Sequence, residues 1–559
     1  MCHIKRFLLI GLIFPALAFP SVALSDTSPP VVVPQTSGDG VAAKPVKPET
    51  GALAEEILRF DVTRYHVVGN TLLDPARVTT ILSPHTGNQR DFGDVQQAIE
   101  ALEKGYRELG YTMITVILPE QELTGGEIRL QVIEPKVTEI KIEGNIHFDR
   151  ENILASLPTL HRGVTPRIND ISANLRAANE NPAKKMTLQF KAPDKPEELH
   201  AELQVKDQKP WKINLSGDNT GSEATGSYRT GLGFQYFNLL NLDHVAAIQY
   251  TTSPDHIEKV NIVSASYRLP LYKQGDTLDI FGAYSDVDSG TSQVSGTDIK
   301  VSGKGIITGL RYNMNLTRQG DYEQKLIGGM DYRRYDNSTL VLGSNLAKDV
   351  VAHPLSITYG GTWTTDAVIA DGSLGLLYNI PWGGQGQKTD FAAVRSGATA
   401  NYLLMRYGLN IMLRPGADWM VRIAGNGQYT PDRLIPGEQF GYGGSAVLRG
   451  YEEREEYWDA GFSGNLELYT PDIFPILKIV NNPNSQLRLL AFFDGGTGYN
   501  LRPQPGELAG NSLTSAGTGF RLGIGETFSF SLDWGYALDN STQTKRGGSK
   551  IHFKGQLSY

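Results

Sequence analysis

The stretch TFSFSLDWGY, Thr527–Tyr536, decides the fold class of this 559-residue chain. Its aromatic and aliphatic residues occupy every second position, and Thr, Ser, Asp and Gly fill the positions between them. Because successive side chains of a β-strand point to opposite faces of a sheet, this pattern predicts a strand with one apolar and one polar face. The segment Ile551–Tyr559 repeats the alternation and predicts a second strand of the same kind.

Alternation of this kind is also found in soluble sandwiches, which turn the apolar face inward. Residues 211–559, divided among about 16 tilted strands, leave about 22 residues for each strand with its connection, and a membrane span needs about 9–11 of them. The polar face is varied and often charged, as a water-filled lumen allows. We therefore predict a transmembrane antiparallel β-barrel of about 16 strands over residues 211–559.

Composition and charge exclude several other classes of protein. A hydrophobic fraction of 40% and a mean hydropathy of −0.27 fit neither a helical membrane protein nor a disordered chain. The net charge of −8 gives no global basic field, so a nucleic-acid partner is not expected. The single cysteine, Cys2, excludes disulfide scaffolds and cysteine-ligated metals, and no metal or other cofactor is expected.

The N-terminal residues carry export features. Lys5 and Arg6 precede an apolar run, and small residues before Asp26 suit a cleavage point, which predicts a secretory signal peptide over residues 1–25. Residues 26–59 form a Pro-rich linker. Its end, Leu53–Leu58, is compatible with a helix and is either a short plug helix or the entry to the next domain.

Two α+β units of similar layout follow, over residues 60–135 and 136–210. Each is predicted as a strand, two helices and two further strands, and each first strand closes on a Gly-Asn pair, Gly69-Asn70 and Gly144-Asn145. The clearest helix lies in the first unit, where apolar residues recur with spacings of four and three between Val95 and Leu109. Neither unit contains a cluster of His, Asp or Glu, so no enzyme is expected there.

The most unusual local sequence is GGSAVLRGY, Gly443–Tyr451, followed by the acidic run Glu452–Glu456. We expect the acidic run to be a solvated loop. The strand LRLLAFFDGG, Leu487–Gly496, places Asp494 on the polar, lumenal face. A carboxylate pointing into a barrel calls for a cation, and Arg449 on its Gly-flanked loop could supply one with bidentate geometry.

These motifs together resemble the transporters of two-partner secretion, the TpsB family. The two α+β units resemble periplasmic POTRA domains. The tetrad Leu448-Arg449-Gly450-Tyr451 is similar to the signature of the family's inward-folded sixth extracellular loop. The motif Phe492-x-Asp494-x-Gly496 is similar to the partner motif on a barrel wall strand.

The resemblance implies roles for the matching residues. Arg449 would bond Asp494 inside the lumen, Gly450 would permit a tight loop tip, and Tyr451 would pack against the inner wall. The sequence departs mildly from the family pattern, with Leu448 where Val is usual and Tyr559 where Phe is commoner.

The resemblance also implies a function: a pore in the bacterial outer membrane that captures an unfolded partner exoprotein through its periplasmic POTRA domains and translocates it without ATP. The partner would carry an N-terminal secretion domain. Outer-membrane lipid, periplasmic chaperones and the barrel assembly machinery are further expected partners.

Two alternatives remain open from the sequence. An assembly factor that inserts other barrels shares this architecture, although such relatives usually carry three or more POTRA domains. The second is a passive porin or a ligand-gated uptake channel. A porin would not need about 150 residues of periplasmic units, and an uptake receptor would need a plug or energy-coupling segment, which we do not find in the sequence.

Overall fold

The computed structural model describes residues 58–559 except 124, 194, 224, 287–289, 295–296, 302–303, 337–339, 342–343, 346–347 and 478–483. The predicted signal peptide, residues 1–25, lies outside the described residues. So do residues 26–57, which include all of the candidate plug helix Leu53–Leu58 except its last residue.

The first unit is a three-stranded sheet with two helices and a small additional two-stranded sheet. Its elements are β1 Phe60–Val62, β2 Arg64–Val68, α1 Pro75–Leu82, β3 Gly87–Arg90, α2 Phe92–Glu108, β4 Thr115–Ile117 and β5 Glu127–Ile133. Asp91 and Asp94 form a capping box at the start of α2, and the predicted apolar helix face is buried. The pairing of β1 with β3 was not predicted, because Phe60–Val62 is too short to show alternation.

The second unit repeats this topology. Its elements are β6 Lys136–Glu143, α3 Arg150–Ala155, α4 Ile168–Asn179, β7 Lys184–Lys191 and β8 Glu198–Asp207. The strand orders β2-β5-β4 and β6-β8-β7 correspond, each with one parallel and one antiparallel pair. Gly69 and Gly144 have φ of +86° and +85° and lie so close to a carbonyl oxygen of the central strand that a Cβ would not fit at either.

The rest of the described chain is a barrel with loop elements between its strands. In chain order these are β9 Trp211–Asp218, β10 Arg229–Leu239, β11 His244–Thr252, β12 Ile262–Leu271, β13 Asp276–Ser285, β14 Gly290–Val294, β15 Thr297–Val301, β16 Lys304–Asn315, β17 Tyr322–Asp336, β18 Leu340–Val341, β19 Ser344–Asn345, β20 Val350–Ala352, β21 Pro354–Thr364, β22 Val368–Asn379, α5 Lys388–Val394, β23 Leu403–Gly416, β24 Trp419–Tyr429, β25 Phe440–Tyr442, β26 Glu456–Trp458, β27 Ala460–Tyr469, α6 Phe474–Leu477, β28 Gln486–Tyr499, β29 Gly510–Ile524, β30 Phe528–Ala537 and β31 Ser549–Ser558.

The barrel is closed and antiparallel throughout, since β31 pairs back to β9. It has sixteen strands in the described residues when β20 and β21, which both pair with β17, are counted as one strand interrupted at His353. Separately, none of the described helices is long and apolar enough to cross a membrane.

The two faces of the wall have opposite character. On β28, Leu489 and Phe493 are 47% and 49% exposed on the outside, whereas Phe492 and Asp494 are buried on the inside. The alternation predicted from the sequence is therefore confirmed, with the apolar face outward. This arrangement suits a wall with lipid outside and polar groups inside.

The second unit is fixed to the periplasmic turns of the barrel through a buried polar network. Lys184 Nζ lies 2.5 Å from Asp243 Oδ2 and donates to Asn152 Oδ1 at 2.8 Å. Tyr272 donates to the same carboxylate at 2.5 Å. Burial lowers the pKa of Lys184. Phe237 of β10 also joins the apolar core of this unit, so polar and apolar contacts hold the two parts together.

Candidate functional site: a loop fixed inside the lumen

The long connection between β24 and β27 turns into the barrel. The short hairpin of β25 and β26 leads to a tip at residues 448–451, where Leu448 and Tyr451 have no exposed surface and Arg449 is 3% exposed. Gly444 and Leu448 exchange two backbone hydrogen bonds, 3.1 and 3.0 Å long, that close the tip into a tight turn. The structure thus brings the whole predicted tetrad into the interior.

Arg449 binds Asp494 in the predicted bidentate geometry. Its Nε and Nη2 donate to Asp494 Oδ2 and Oδ1 at 2.9 and 2.7 Å, and its backbone N–H adds a bond of 3.0 Å to Oδ2. Asn465 of β27 donates to both Asp494 Oδ1 and the Val447 carbonyl, each at 2.8 Å. One wall carboxylate is therefore the anchor of the loop tip.

Two further carboxylates surround the same guanidinium. Arg449 Nη1 lies 2.7 Å from Glu467 Oε1 on β27 and 3.7 Å from Asp533 Oδ2 on β30. The Phe492 ring lies beneath the guanidinium, 3.5 Å from its Cζ to the ring centroid. We refer to Asp494, Glu467 and Asp533 as the lumenal carboxylates.

Two wall arginines share this carboxylate cluster. Arg422 Nη1 lies 3.1 Å from Glu467, and Arg521 Nη1 lies 2.8 Å from Asp533. With Arg449 in place, three cations face three anions. Buried charges of this density are tolerated because each one is paired and hydrogen-bonded.

The rest of the tip fits the wall by close approach. Gly450 has a φ of +104°, and a Cβ on Gly535 of β30 would lie 2.5 Å from the backbone of Arg449 and Gly450. Tyr451 donates to the Thr514 carbonyl at 2.8 Å. Gly496, the last residue of the predicted wall motif, faces the ring of Tyr442, which would lie 3.3 Å from an added Cβ.

Sequence reasoning missed four members of the site: Glu467, Asp533, Asn465 and Gly535. Asp533 sits on the polar face of the very stretch that defines the strand pattern, and Glu467 lies between the outward residues Leu466 and Leu468. Parity therefore places both carboxylates in the lumen. Their contact with Arg449 depends on which strands are neighbours in the barrel, and the alternation of side chains along one strand does not give that order.

The expectation of a solvated acidic run is wrong for two of its residues. Glu455 and Glu456 are buried. Glu455 accepts from the Gln543 N–H at 2.9 Å and from the Thr544 hydroxyl at 2.7 Å, and Glu456 accepts from Asn511 at 2.7 Å. The run ties the inward loop to the connection between β30 and β31 and to the start of β29.

Across the described part of the chain, no group of three or more His, Cys, Asp or Glu side chains is arranged to hold a metal ion. The contacts described above are those of charge pairing between a loop and a wall.

A closed barrel with an apolar exterior, a loop bound in its lumen and α+β units before it defines the class of outer-membrane transport barrels with POTRA domains. A sequence model described as "haemolysin secretion/activation protein ShlB/FhaC/HecB" matches residues 200–522, and one described as "POTRA domain, ShlB-type" matches residues 60–135. The chain belongs to this haemolysin secretion/activation family. The predicted membership among two-partner secretion transporters is confirmed.

Individual relatives agree. The outer membrane transporter CdiB of Escherichia coli is 25% identical over 486 residues, which cover 84% of this chain and 79% of that protein. The heme/hemopexin transporter protein HuxB of Haemophilus influenzae is 23% identical over 185 residues, 33% of each chain. The solved structure of CdiB from Escherichia coli covers 92% of this chain and 93% of its own, with a TM-score of 0.70 at 19% identity, a likeness of fold.

Proposed function

We propose that this chain exports an unfolded partner protein across the outer membrane, with residues 60–135 and 136–210 acting as POTRA domains and residues 211–559 as the conduit. Family membership supports secretion through the outer membrane. The observation that carries the mechanism is the Arg449–Asp494 pair, which holds a loop across the path that a polypeptide must take. The proposed activity is transport without catalysis.

The loop is suited to act as a gate because its charge pairs with the wall are stable when the tip is partly displaced but can all be replaced when the whole tip leaves. Removing one partner of a buried pair costs about 3–5 kcal/mol, since the other charge is left buried and unpaired. When the whole tip leaves, water or the passing chain can solvate both sides. The pairing therefore opposes partial displacement and permits complete withdrawal.

Capture of an extended substrate needs a free strand edge, and β7 offers one. The Met186 N–H and C=O bond with the Asn179 side chain at 2.7 and 2.9 Å, so they face away from β8. Alternate residues of a strand direct their backbone groups to the same side. The backbone groups of Leu188 and Phe190 therefore line the outer edge of β7, where an added strand would pair.

The corresponding edge of the first unit is less open. Strand β4 is three residues long, and beyond it the Gln121 side chain bonds both the N–H and the C=O of Arg129, at 2.7 and 2.8 Å. The Gln121 side chain therefore takes up the backbone hydrogen-bonding groups of β5 with which a longer β4 would pair. The longer edge on β7 is therefore the favoured capture site.

Two experiments test this function. A photo-crosslinker at exposed Gln189 on β7 should trap the partner during secretion, whereas the same group at exposed Lys141 on β6 should not. Since β6 is the opposite edge of the same sheet, equal trapping at both positions would contradict capture at β7.

The second experiment compares the proteins of the culture medium and the outer membrane with and without this chain. Loss of one large protein from the medium supports the proposal. Broad depletion of barrels from the membrane would instead identify an assembly factor. Periplasmic chaperones, which would keep the substrate unfolded, and the barrel assembly machinery, which would insert this barrel, are the further partners we propose.

A further inference from the structure

The seam of the barrel, where β31 meets β9, has an open groove on its lipid-facing side. The ladder there pairs Asn214–Asp218 with Lys554–Ser558 and is extended by two backbone hydrogen bonds between Ile213 and Tyr559. It is much shorter than the ladder between β28 and β29, which runs along the whole of β28. A groove of about 450 Å³ lies over this seam. Its position on the outside of a membrane barrel means that its surroundings are hydrocarbon.

Two opposed glycines form the floor of the groove. Gly217 and Gly555 are register partners, and both stand at outward-facing positions, as the exposed Leu215 and Leu557 beside them show. An added Cβ at Gly217 would meet nothing closer than 4.0 Å, and one at Gly555 nothing closer than 3.5 Å. The missing side chains leave a slot in an otherwise continuous apolar surface.

Aromatic rings wall the slot. Phe553 lies 6.1 Å from Tyr228 and 6.5 Å from Phe530, measured between ring centroids, and Phe528 continues the wall toward the periplasmic end. The slot is thus long, narrow and apolar, which is the shape of a hydrocarbon chain.

A positive charge stands at the periplasmic end of the same seam. Lys209 Nζ lies 5.2 Å from the ring centroid of Trp211 and 4.9 Å from that of Tyr559, and these two rings are 5.6 Å apart. Among the described residues, no carboxylate lies within ion-pair distance of Lys209. An aromatic pair with a free cation is typical of the membrane interface, where lipid phosphates lie.

The distance between these two features matches one leaflet. Six residues at about 3.3 Å each separate Trp211 from Gly217 along β9, and a tilt of about 40° turns these ~20 Å into about 15 Å of depth. One leaflet of a hydrocarbon core of about 30 Å is also about 15 Å deep. A lipid with its phosphate at Lys209 can therefore lay one acyl chain along the slot.

We propose that the seam is a binding site for an anionic phospholipid of the periplasmic leaflet, with its headgroup at Lys209 and one acyl chain between Gly217 and Gly555. The bound chain supplies the apolar contacts that the short ladder lacks. It stabilises closure of the barrel where backbone pairing is weakest.

Native mass spectrometry of the full chain, released from nanodiscs of mixed phosphatidylglycerol and phosphatidylcholine, tests this site. The wild-type protein should retain one phosphatidylglycerol. Gly217→Leu and Gly555→Leu fill the slot and should lose it, and heat-modifiable migration on gels verifies that both barrels are folded. Gly328→Leu is the matched control, because Gly328 faces lipid on β17 with nothing within 4 Å of an added Cβ.

Lys209→Gln leaves the slot intact and should retain a lipid without preference for the anionic headgroup. Equal retention by the wild-type protein, Gly217→Leu and Gly555→Leu would overturn the proposal. Loss of secretion in the leucine variants with unchanged lipid retention would also overturn it, and would indicate a polypeptide in the groove.

Discussion

At the scale of single residues, the position of the inward loop depends on the shape of one guanidinium as much as on its charge. Arg449 presents two parallel N–H groups to Asp494 and a third to Glu467. A lysine would carry the same charge on a flexible stem without the planar fork. A substitution of Arg449 that keeps only its positive charge is therefore not expected to keep the loop bound to the wall.

Arg449→Ala and Arg449→Lys should both lower secretion of the partner by about tenfold or more, since an unpaired buried carboxylate costs about 3–5 kcal/mol. The barrel should remain in the membrane, as checked by heat-modifiable migration. Arg311→Ala is the control, because Arg311 pairs with Asp331 on the wall and Asp331 keeps a second cation, Arg333, when Arg311 is removed. Unchanged export in both Arg449 variants would refute the gate.

Gly535→Ala should displace the loop tip with a single methyl group. The added Cβ would lie 2.5 Å from backbone atoms of Arg449 and Gly450, neither of which can rotate away. We expect trypsin added to intact cells to cleave the loop near Arg454 faster than in the wild-type protein. Gly495→Ala, whose nearest atom would be Thr514 Cγ2 at 3.9 Å, should not change the cleavage rate.

The position of a single residue was predictable where the alternation of side chains along its own strand was sufficient to give its face. Alternation along the strand predicts that Asp494 faces the lumen, and the Gly-flanked loop predicts that Arg449 can fold inward and supply its cation. Glu467 was not joined to them, because that contact exists only once β27 and β28 lie side by side. Burial of Glu455 was missed for the same reason: its partners come from a connection about 90 residues later.

At the scale of elements, three extracellular connections are held together by one ion-pair cluster. Arg395, which caps α5, donates to Glu507 at 2.8 Å and lies 2.5 Å from Asp459. Arg433 binds the same Glu507 at 3.0 Å. The connections around residues 395 and 507 therefore form one cap with the segment around residue 433, which begins the inward-turning connection between β24 and β27.

This cap should stay ordered in moderate acid and lose its order only at strongly acidic pH. The Arg395 hydrogen bond, aided by other groups, lowers the pKa of Glu507 to about 2 from its ordinary value of 4.5. A depressed carboxyl pKa stabilises the folded cap above 4.5, and this contribution is lost as pH falls through about 2. A spin label at Leu508 should thus stay immobile at pH 7 and pH 4 and become mobile near pH 2.

The matched variants separate this ion pair from general acid effects. Arg395→Gln should make the same label mobile at pH 7, whereas Arg502→Gln, in the same connection, should not. Mobility of the label in the wild-type protein at pH 4 would contradict the assignment.

A helix or strand was predictable where it was long enough to show a regular hydrophobic repeat in the sequence. The barrel strands β28, β30 and β31 and the helix α2 show it, and the sequence predicts each of these four elements. The two-stranded sheet of β1 and β3 and the helix α5 are too short to show a hydrophobic period, and tertiary contacts fix them instead. Phe391 of α5, for example, is buried against Tyr402.

At the scale of the whole molecule, the buried Lys184–Asp243 pair fixes the second unit against the barrel. Lys184→Met leaves Asp243 buried without its cation, which should destabilise the joint by about 3–5 kcal/mol. Distances between spin labels at Glu151 and Lys273 should broaden markedly.

Lys191→Met on the same strand is the control for this joint. Lys191 is 60% exposed and pairs with Glu202, and exposed pairs contribute only about 0–1 kcal/mol. A narrow distance distribution in Lys184→Met would show that the apolar contacts suffice. The joint was not predictable from the sequence, because a lone lysine in a strand gives no sign of a partner 59 residues away.

The lumenal carboxylates also determine which ions can follow the substrate. When the loop withdraws, Arg449 leaves with it, and the wall retains three negative charges against the two of Arg422 and Arg521. Relative to the closed state, this level of the lumen has lost one positive charge, which favours the passage of potassium over that of chloride. In planar bilayers under a potassium chloride gradient, each opening should therefore move the reversal potential toward that of potassium, so that the movement of the loop is recorded as ionic selectivity.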